Sequence, residues 1–204
     1  MDVGCGSGRF LLARARASEG KANFFGMDIR HKLIDRSNKW ARLMGVEENV
    51  FYLSTNATVS FESVLREYPG KVSFISIQYP DPHFKKRHHK RRIVQQEFIE
   101  MVGRIIDEDG HVFLQSDVHE VILDMHNRFK DSDAFRLATS QEVFDLASRN
   151  SVAMDAEEES SFDTLLLDTD GWIKVNPTGI PTEREVHAQS DGEDVYRSVF
   201  RRNV

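Results

Sequence analysis

One carboxylate, Asp81, stands between two prolines and directly ahead of a dense cationic run. The run covers residues 85–92 and holds six lysines and arginines in eight positions. The chain as a whole has 204 residues and a net charge of −6. A cationic run on an acidic protein is a local feature, and its expected use is to hold a polyanion beside Asp81. Pro80 and Pro82 restrict the backbone around this carboxylate, so its position is expected to be fixed.

A second candidate site is the glycine loop near the start of the chain. Gly4, Gly6 and Gly8 alternate between a short apolar segment and a predicted helix. Glycine permits positive φ angles and close approach of a ligand, and the helix N-terminus favours negative charge. Asp28 follows Gly8 by twenty positions, at the end of the second predicted strand. An acid at that point can accept hydrogen bonds from both ribose hydroxyls of a nucleoside cofactor. The alternative interpretation is a tight turn and an exposed acid.

The glycine spacing does not match the motifs that bind dinucleotides or nucleotide phosphates. A dinucleotide fingerprint needs glycine in the last place of G-x-G-x-x-G, but that place holds Arg9 when counted from Gly4 and Leu11 when counted from Gly6. The lysine of a phosphate-binding loop is also absent. A nicotinamide-dependent oxidoreductase is therefore disfavoured.

Short apolar runs alternate with amphipathic segments through the first two thirds of the chain. The predicted strands are 2–3, 23–29, 50–53, 72–77 and 111–115, and the predicted helices are 9–17, 32–44, 61–68, 93–106 and 118–129. This alternation predicts an α/β fold, with a mostly parallel, doubly wound sheet and helices on both faces. Ligands of such sheets bind beyond the carboxyl ends of the strands. Residues that follow predicted strands should therefore meet at one edge: Gly4, Gly6, Gly8, Asp28, Asn56, Asp81 and Asp117.

The last third of the chain gives weaker signals. Residues 151–170 contain seven acidic residues and no basic one, which predicts a long loop. Residues 172–175 and 195–201 are predicted to be late strands. Because no repeat or composition shift divides the chain, residues 1–204 are expected to form a single domain.

Composition limits the classes of protein. Hydrophobic residues make up 40% of the chain and charged residues 29%. No apolar run approaches the roughly 20 residues of a membrane helix. The single cysteine, Cys5, excludes an internal disulfide and suits a reducing compartment, with the cytoplasm expected and nucleus or organelle left open. Met1 stands directly before the end of a strand, so the N-terminus is expected to be truncated.

The glycine loop with its acids resembles that of S-adenosylmethionine (SAM)-dependent methyltransferases of the Rossmann-like class I fold. By this resemblance, Asp2 and the glycines face the methionine part of SAM. Asp28 with Ile29 holds the ribose end of the site, and Asn56-Ala57 lies beside the adenine.

The cationic region carries a more specific resemblance than the glycine loop does. Pro80-Asp81-Pro82-His83-Phe84-Lys85, followed by Arg87 to Ile93, resembles the signature of the tRNA (guanine-N7-)-methyltransferase family. Thr182-Glu183-Arg184-Glu185 resembles the second substrate motif of that family, and Asp117 matches its acid after the fifth strand. The resemblance extends from Asp2 to near Arg202.

This resemblance implies methyl transfer from SAM to N7 of a guanine in the tRNA variable loop. Asp81 would be the catalytic residue. The substrate-binding residues would be Lys85, Arg87, His88, His89, Lys90, Arg91, Arg92, Asp117, Thr182, Glu183, Arg184 and Glu185. The partner would be tRNA, and the chain would act either alone or with a β-propeller protein.

Three alternatives stay open at this point. A methyltransferase acting on an exocyclic amine would carry Asp/Asn-Pro-Pro-aromatic after the fourth strand, whereas this chain has Pro-Asp-Pro-His. A non-catalytic RNA-binding protein could retain the same fold. A metal site at His83, His88 and His89 is disfavoured, because no cysteines or spaced carboxylates accompany the histidines.

Overall fold

Seven strands and seven α-helices are found in the part of the chain that the computed structural model describes, residues 1–150 and 171–203. The strands are β1 (Asp2–Val3), β2 (Phe24–Asp28), β3 (Val50–Ser54), β4 (Val72–Gln78), β5 (Ile106–Ser116), β6 (Phe135–Leu137) and β7 (Tyr196–Arg202). The helices are α1 (Arg9–Ala17), α2 (His31–Leu43), α3 (Ala57–Leu65), α4 (Gln96–Ile105), α5 (His119–Lys130), α6 (Ser140–Arg149) and α7 (Glu183–Ser190). A short 3-10 helix covers Lys86–Arg91.

The strands form one sheet in the order β3-β2-β1-β4-β5-β7-β6. The first five strands of this order are parallel, and β7 is antiparallel to both β5 and β6. The predicted mostly parallel sheet is therefore confirmed. The chain moves outward from β1 to β3 and then returns to β4 on the other side of β1. This reversal opens a crevice beyond the carboxyl ends of β1 and β4, where ligands of such sheets bind.

The reversal also decides which helices cover which face. Right-handed crossovers place α1 and α2 on one face of the sheet, and α3 and α4 on the other. One apolar cluster accordingly joins Phe61 of α3, Phe98 of α4 and Ile122 of α5 to the central strands. A second cluster packs Leu11 of α1 and Ile34 of α2 against β3.

The elements that sequence patterns did not predict lie in the last third. β6, α6 and α7 were missed, and the strand predicted over 172–175 is only a single bridge, in which the Ile173 nitrogen donates to the Arg197 carbonyl at 3.0 Å. The predicted acidic loop, 151–170, lies outside the described residues. Both missed helices begin with a capping box, Thr139 with Glu142 and Thr182 with Glu185. The Ser/Thr-x-x-Glu pattern was thus a usable signal for each helix start.

A buried carboxylate fastens α7 to the sheet. Glu185 and Arg197 have side chains that are only 2% and 6% exposed, and Arg197 Nη2 lies 2.8 Å from Glu185 Oε1. Glu185 Oε2 also accepts from Gln115 Nε2 at 2.9 Å and from Asn176 Nδ2 at 2.8 Å. Since β5, β7 and the segment before α7 all contribute donors, this one carboxylate sets the position of α7.

The substitution Glu185→Ala is expected to destabilise the fold severely, because it leaves the Arg197 charge buried and unpaired. The expected cost is about 3–5 kcal/mol in the free energy of unfolding. The matched control is Glu183→Ala, two residues away, whose side chain is 48% exposed and whose ion pair should contribute about 0–1 kcal/mol. Urea denaturation of both variants measures the difference. Equal midpoints for the two would show that the buried pair does not hold α7.

Candidate active site

The glycine loop turns sharply over the end of β2. Gly4, Gly6 and Gly8 have φ angles of 81°, 56° and 72°, values that side-chain-bearing residues adopt only at a cost. The backbone nitrogens of Gly4 and Cys5 donate to the Met27 carbonyl at 2.8 and 3.0 Å. The loop therefore presents bare backbone at the carboxyl end of β1.

Gly8 is held in a tight seat, whereas Gly4 is open. Tyr52 Oη donates to the Gly8 carbonyl at 2.6 Å. A Cβ atom on Gly8 would lie 2.7 Å from Tyr52 Cε1 and 2.8 Å from Ser37 Oγ, while a Cβ on Gly4 would meet nothing within 4 Å. The two glycines share a backbone conformation but serve different purposes, since Gly8 packs the loop down and Gly4 leaves space above it.

Asp28 is a buried carboxylate with all its acceptor positions in use. Its Oδ2 accepts from the Gly6 nitrogen and from Arg30 Nη2, each at 2.9 Å. Its Oδ1 accepts from the Arg30 nitrogen and Arg30 Nε, also at 2.9 Å. Burial opposes ionisation, but the hydrogen bonds from Arg30 and Gly6 outweigh it and hold the pKa of Asp28 below its ordinary value. The group is therefore an ionised acceptor at neutral pH.

The Arg30 guanidinium is the replaceable part of this arrangement. Its side chain is 60% exposed while that of Asp28 is 4% exposed. Because the guanidinium is largely in solvent, a ligand can displace it without moving any other part of the site. Ribose hydroxyls can take the two acceptor positions that the guanidinium fills, while the Gly6 and Arg30 backbone nitrogens keep the carboxylate oriented.

The residues predicted beside the adenine lie next to Asp28. The Thr55 nitrogen donates to the Asp28 carbonyl at 3.0 Å, which joins the ends of β2 and β3. Asn56 caps α3 by accepting from the Thr58 nitrogen at 3.1 Å, and Ala57 behind it is buried. Ile29 is 72% exposed, so it offers an apolar surface to the face of a planar ring.

Asp2 is the first residue of β1, two positions before the glycine loop begins. Its Oδ1 accepts from Ser76 Oγ at 2.6 Å and from Gln78 Nε2 at 3.4 Å. Burial raises the pKa of Asp2 despite these hydrogen bonds. A cationic ligand group placed above it would favour the charged form.

Asp81 sits on a constrained turn at the end of β4. Tyr79 and His83, on either side of the Pro-Asp-Pro segment, have φ angles of 49° and 44°. Such angles are costly for residues with side chains and persist only where the surroundings impose them. Tyr79 is fixed to β5 through Gln115, whose carbonyl accepts from the Tyr79 nitrogen at 2.8 Å and whose Nε2 lies 2.8 Å from Tyr79 Oη.

The Asp81 carboxylate itself is open. Its side chain is 75% exposed, and its Oδ1 accepts only from the backbone nitrogen of His83, at 3.2 Å, among the described residues. His83 Nδ1 lies 3.7 Å away. The turn is held firmly while the carboxylate stays available to a ligand.

The cationic run divides into exposed residues and one buried arginine. Lys85, Lys86, Arg87, Lys90 and Arg91 are all exposed, and none of them forms an ion pair with a described residue. His88 and His89 are half-buried, and His89 Nε2 lies 3.6 Å from Glu120 Oε1.

Arg92 departs from the expectation that it contacts substrate. It is only 5% exposed. Its guanidinium donates to the Pro82 carbonyl at 3.0 Å and pairs with Glu120 at 2.6 Å and Asp124 at 3.3 Å. Because all these partners are internal, Arg92 anchors the Asp81 turn to α5 rather than binding a phosphate.

The second motif, residues 182–185, reaches the glycine loop. Glu183 Oε2 accepts from Ser7 Oγ at 2.6 Å, and Glu183 also pairs with Arg9. Arg184 Nε donates to Asp117 Oδ2 at 2.6 Å. Thr182 Oγ1 accepts from the Glu185 nitrogen at 3.1 Å in the helix cap. The start of α7 therefore joins the ends of β1 and β5, although Glu185 itself points into the interior.

The described residues offer no second location for the predicted site residues. A cavity of about 570 Å³ lies at the opposite edge, near the starts of β2, β3 and β4, and none of the predicted site residues lines it. Within residues 1–150 and 171–203, no three His, Cys, Asp or Glu side chains are grouped to hold a metal ion. The helices of the same residues lack the length and hydrophobicity needed to cross a bilayer.

Comparison with known proteins decides the family. Residues 1–165 match the family model described as "Putative methyltransferase". The tRNA (guanine-N(7)-)-methyltransferase of Synechococcus elongatus is 37% identical over 201 residues, covering 98% of this chain and 79% of that protein. The protein of the same name from Trichormus variabilis is 35% identical over 203 residues, with coverage of 99% and 80%. The chain belongs to the tRNA (guanine-N(7)-)-methyltransferase family. The resemblance inferred from sequence is confirmed.

Solved structures confirm the class of fold for this family member. A SAM-dependent O-methyltransferase from Thermotoga maritima superposes with a TM-score of 0.53 at 13% identity, covering 100% of this chain and 59% of that one. TrmN from Thermus thermophilus gives 0.51 at 18% identity, with coverage of 67% and 37%. At these identities the likeness establishes the Rossmann-like methyltransferase fold alone.

Sequence patterns missed two groups at this site of the methyltransferase. Arg30 was overlooked, although a basic residue two positions after a strand-end acid is placed to pair with it. Phe84 was given no role of its own within the signature, yet it is 67% exposed beside the Asp81 turn. Exposure of an aromatic side chain next to free cations is typical of surfaces that stack nucleobases.

Substitution of Gly4 and of Gly8 by alanine is expected to distinguish the cost of a steric collision from the cost of backbone strain. Gly8→Ala should lower both stability and SAM affinity, because the new methyl group collides with Tyr52 and Ser37. In the free energy of unfolding, Gly4→Ala should cost only the roughly 1–2 kcal/mol of a left-handed backbone. Thermal unfolding and calorimetric titration with SAM measure both effects. Equal losses of stability for the two variants would contradict the close packing of Tyr52 and Ser37 around Gly8.

Proposed function

We propose that this protein is an enzyme that transfers a methyl group from SAM to N7 of a guanine in the variable loop of tRNA. The observation that carries the proposal is the open Asp81 carboxylate on the same sheet edge as the glycine loop and five free cations. Membership of a family whose curated members bear this activity in their names supports it. The residues 1–204 act as one domain in this proposal, since β1 and β7, from the two ends of the chain, share one sheet.

The residues of the glycine edge fit SAM. Asp2, Gly4, Gly6 and Gly8 would take its methionine part, and Asp28, Ile29, Asn56 and Ala57 its nucleoside. The ionised Asp28 supplies acceptors for two hydroxyls, and glycines without Cβ atoms leave room above β1. When bound, SAM supplies an electrophilic methyl group on a sulfonium.

The reaction depends chiefly on the alignment of guanine N7 with the methyl group of SAM. Guanine N7 has a free lone pair and bears no proton, so no general base is required. Holding N7 in line with the methyl group is positioning catalysis. Positive charge develops on the guanine ring as the bond forms. The Asp81 carboxylate, held on its constrained turn beside that ring, would stabilise this charge more in the transition state than in the ground state.

The remaining substrate-binding candidates differ in the part of the tRNA that they would contact. Lys85, Arg87, Lys90 and Arg91 would bind tRNA phosphates, with His88 and His89 beside them. Thr182, Glu183, Arg184 and Asp117, at the start of α7 and the end of β5, are the candidates for contacts with the guanine. Glu185 would act on these contacts indirectly, through the buried pair that positions α7.

The proposed cellular location of the reaction follows from its substrate. We place the reaction in the cytoplasm, where tRNA is available to a methyltransferase. The proposal includes tRNA as the partner and no β-propeller protein. The non-catalytic alternative is not favoured, because the glycine loop, Asp28 and Asp81 are all in place.

The substitution Asp81→Asn is expected to lower methyl transfer about 10²–10³-fold, the typical cost of one preorganised electrostatic group. SAM affinity should be unchanged, because Asp81 lies outside the cofactor residues. Transfer of labelled methyl groups to unmodified tRNA and calorimetry with SAM measure the two quantities. Asp131→Asn, an exposed acid at the end of α5, is the control. Full activity of Asp81→Asn would remove Asp81 from the mechanism.

The division of the cationic run predicts two different phenotypes. Changing Lys85, Lys90 and Arg91 to glutamine should weaken tRNA binding and reduce the slope of log K against log salt by roughly 0.7–0.9 for each phosphate that the protein no longer neutralises. Arg92→Gln should instead destabilise the protein, with a nearly unchanged salt slope. Filter binding across a salt series, with thermal unfolding, distinguishes them. Were Arg92→Gln to flatten the slope as the triple variant does, the internal role of Arg92 would be wrong.

A further inference from the structure

A second cationic surface lies on α2, remote in sequence from residues 85–92. This helix of 13 residues contains four lysines and arginines and one acid, Asp35. Lys32, Arg36 and Lys39 are spaced at i, i+4 and i+7, so they share one face of the helix. The buried residues Ile34, Ser37 and Ala41 lie on the opposite face. We define Lys32, Arg36 and Lys39 as the α2 basic face.

The charges of the α2 basic face are exposed and free. All three side chains belong to exposed residues, and none pairs with an acid among the described residues. By contrast, Arg66 directly after α3, Arg104 on α4 and Arg128 on α5 each pair with a glutamate or aspartate. Like charges at i and i+4 destabilise an isolated helix. A cluster that is left unpaired on an acidic protein is thus suited to an external polyanion.

The α2 basic face is connected through Trp40 to Arg9, the residue that follows the glycine loop. The Arg36 guanidinium lies 4.8 Å from the centre of the Trp40 ring, and the Arg9 guanidinium lies 5.1 Å from the same ring. Arg9 is the first residue of α1, directly after Gly8, and it pairs with Glu183 of α7. These contacts hold the helix surface in a fixed relation to the proposed SAM site.

Topology places this face on the other side of the glycine loop from the Asp81 turn. α2 follows β2, and the cationic run follows β4, while β1 with its glycine loop lies between those two strands. Lys32 is in the first turn of α2, which begins three residues after β2 ends. From there the face extends about 10 Å along the helix to Lys39. An RNA that crosses the site above β1 therefore meets cations on both sides of the reacting guanine.

We propose that the α2 basic face binds the phosphate backbone of the substrate tRNA, on the side of the reacting base opposite to residues 85–91. This inference rests on the proposed function and adds a second binding surface to it. Two separated binding surfaces restrict rotation of the RNA over the site more than a single cationic segment does.

The test is the salt dependence of tRNA binding by three variants. The first changes Lys32, Arg36 and Lys39 to glutamine, which has a helix propensity close to that of lysine and arginine. The second changes only Lys32 and Lys39, and so keeps the stacking of Arg36 on Trp40. The control changes Arg66, Lys71 and Arg104 to glutamine, an equal change of net charge at the opposite edge of the sheet.

The slope of log K against log salt is expected to fall by about two for the triple α2 variant and by a smaller amount for the double variant, at roughly 0.7–0.9 for each phosphate neutralised. The control should keep both the wild-type slope and the wild-type rate of methyl transfer at saturating tRNA. A triple α2 variant with the wild-type slope, or a control that falls equally, overturns the proposal. If the wild-type protein binds tRNA but does not methylate it, the proposed function fails, while the slopes still decide whether the α2 basic face binds RNA.

Discussion

The parallel pairing of β1 with a strand on each side is the constraint on which the site depends. β1 is only two residues long, yet Asp2 pairs with Gly26 of β2 and with Ser76 of β4. Because all three strands run in the same direction, their loops leave from the same edge. The glycine loop, Asp28 and the Asp81 turn are consequently neighbours, although 79 positions separate Asp2 from Asp81 in the sequence. A shift in that pairing would separate the proposed methyl donor site from the proposed substrate site.

Charged residues in this protein serve two purposes that burial separates. Arg92, Glu185 and Arg197 are buried and paired, and each holds a loop or helix of the site in place. Lys90 and Lys32 are exposed and unpaired within the described part of the chain, so they remain available to RNA. The buried pairs are costly to break, whereas exposed cations can be changed with little effect on folding. Stability and binding can therefore be altered separately by mutation.

Local sequence was sufficient to predict the first half of the fold. The bounds of α1 agree with the prediction, because Gly8 and the apolar spacing that follows it define the helix. The parallel sheet followed from the alternation of short apolar runs with amphipathic segments. α7 was missed, because its mean composition is polar and its capping box was assigned only to substrate binding. In this helix the same residues, Thr182 and Glu185, perform the capping.

The cationic run shows most clearly what sequence cannot supply. The eight positions of the run, six of them lysine or arginine, contain no periodic signal for which side chain turns inward. Only the positions of Glu120 and Asp124, one helix away in the chain, select Arg92 for the interior. The same limit applies to the α2 basic face. Its spacing was visible in the sequence, but its place beside the glycine loop depends on the order of strands.

The most direct test of the central claim is the identity of the methylated nucleoside. Unmodified tRNA would be incubated with the protein and SAM carrying a labelled methyl group, digested to nucleosides and analysed by mass spectrometry. The proposed function predicts that the label appears in 7-methylguanosine. Label on an exocyclic amine or on a ribose, or SAM bound with no label transferred, would contradict the account.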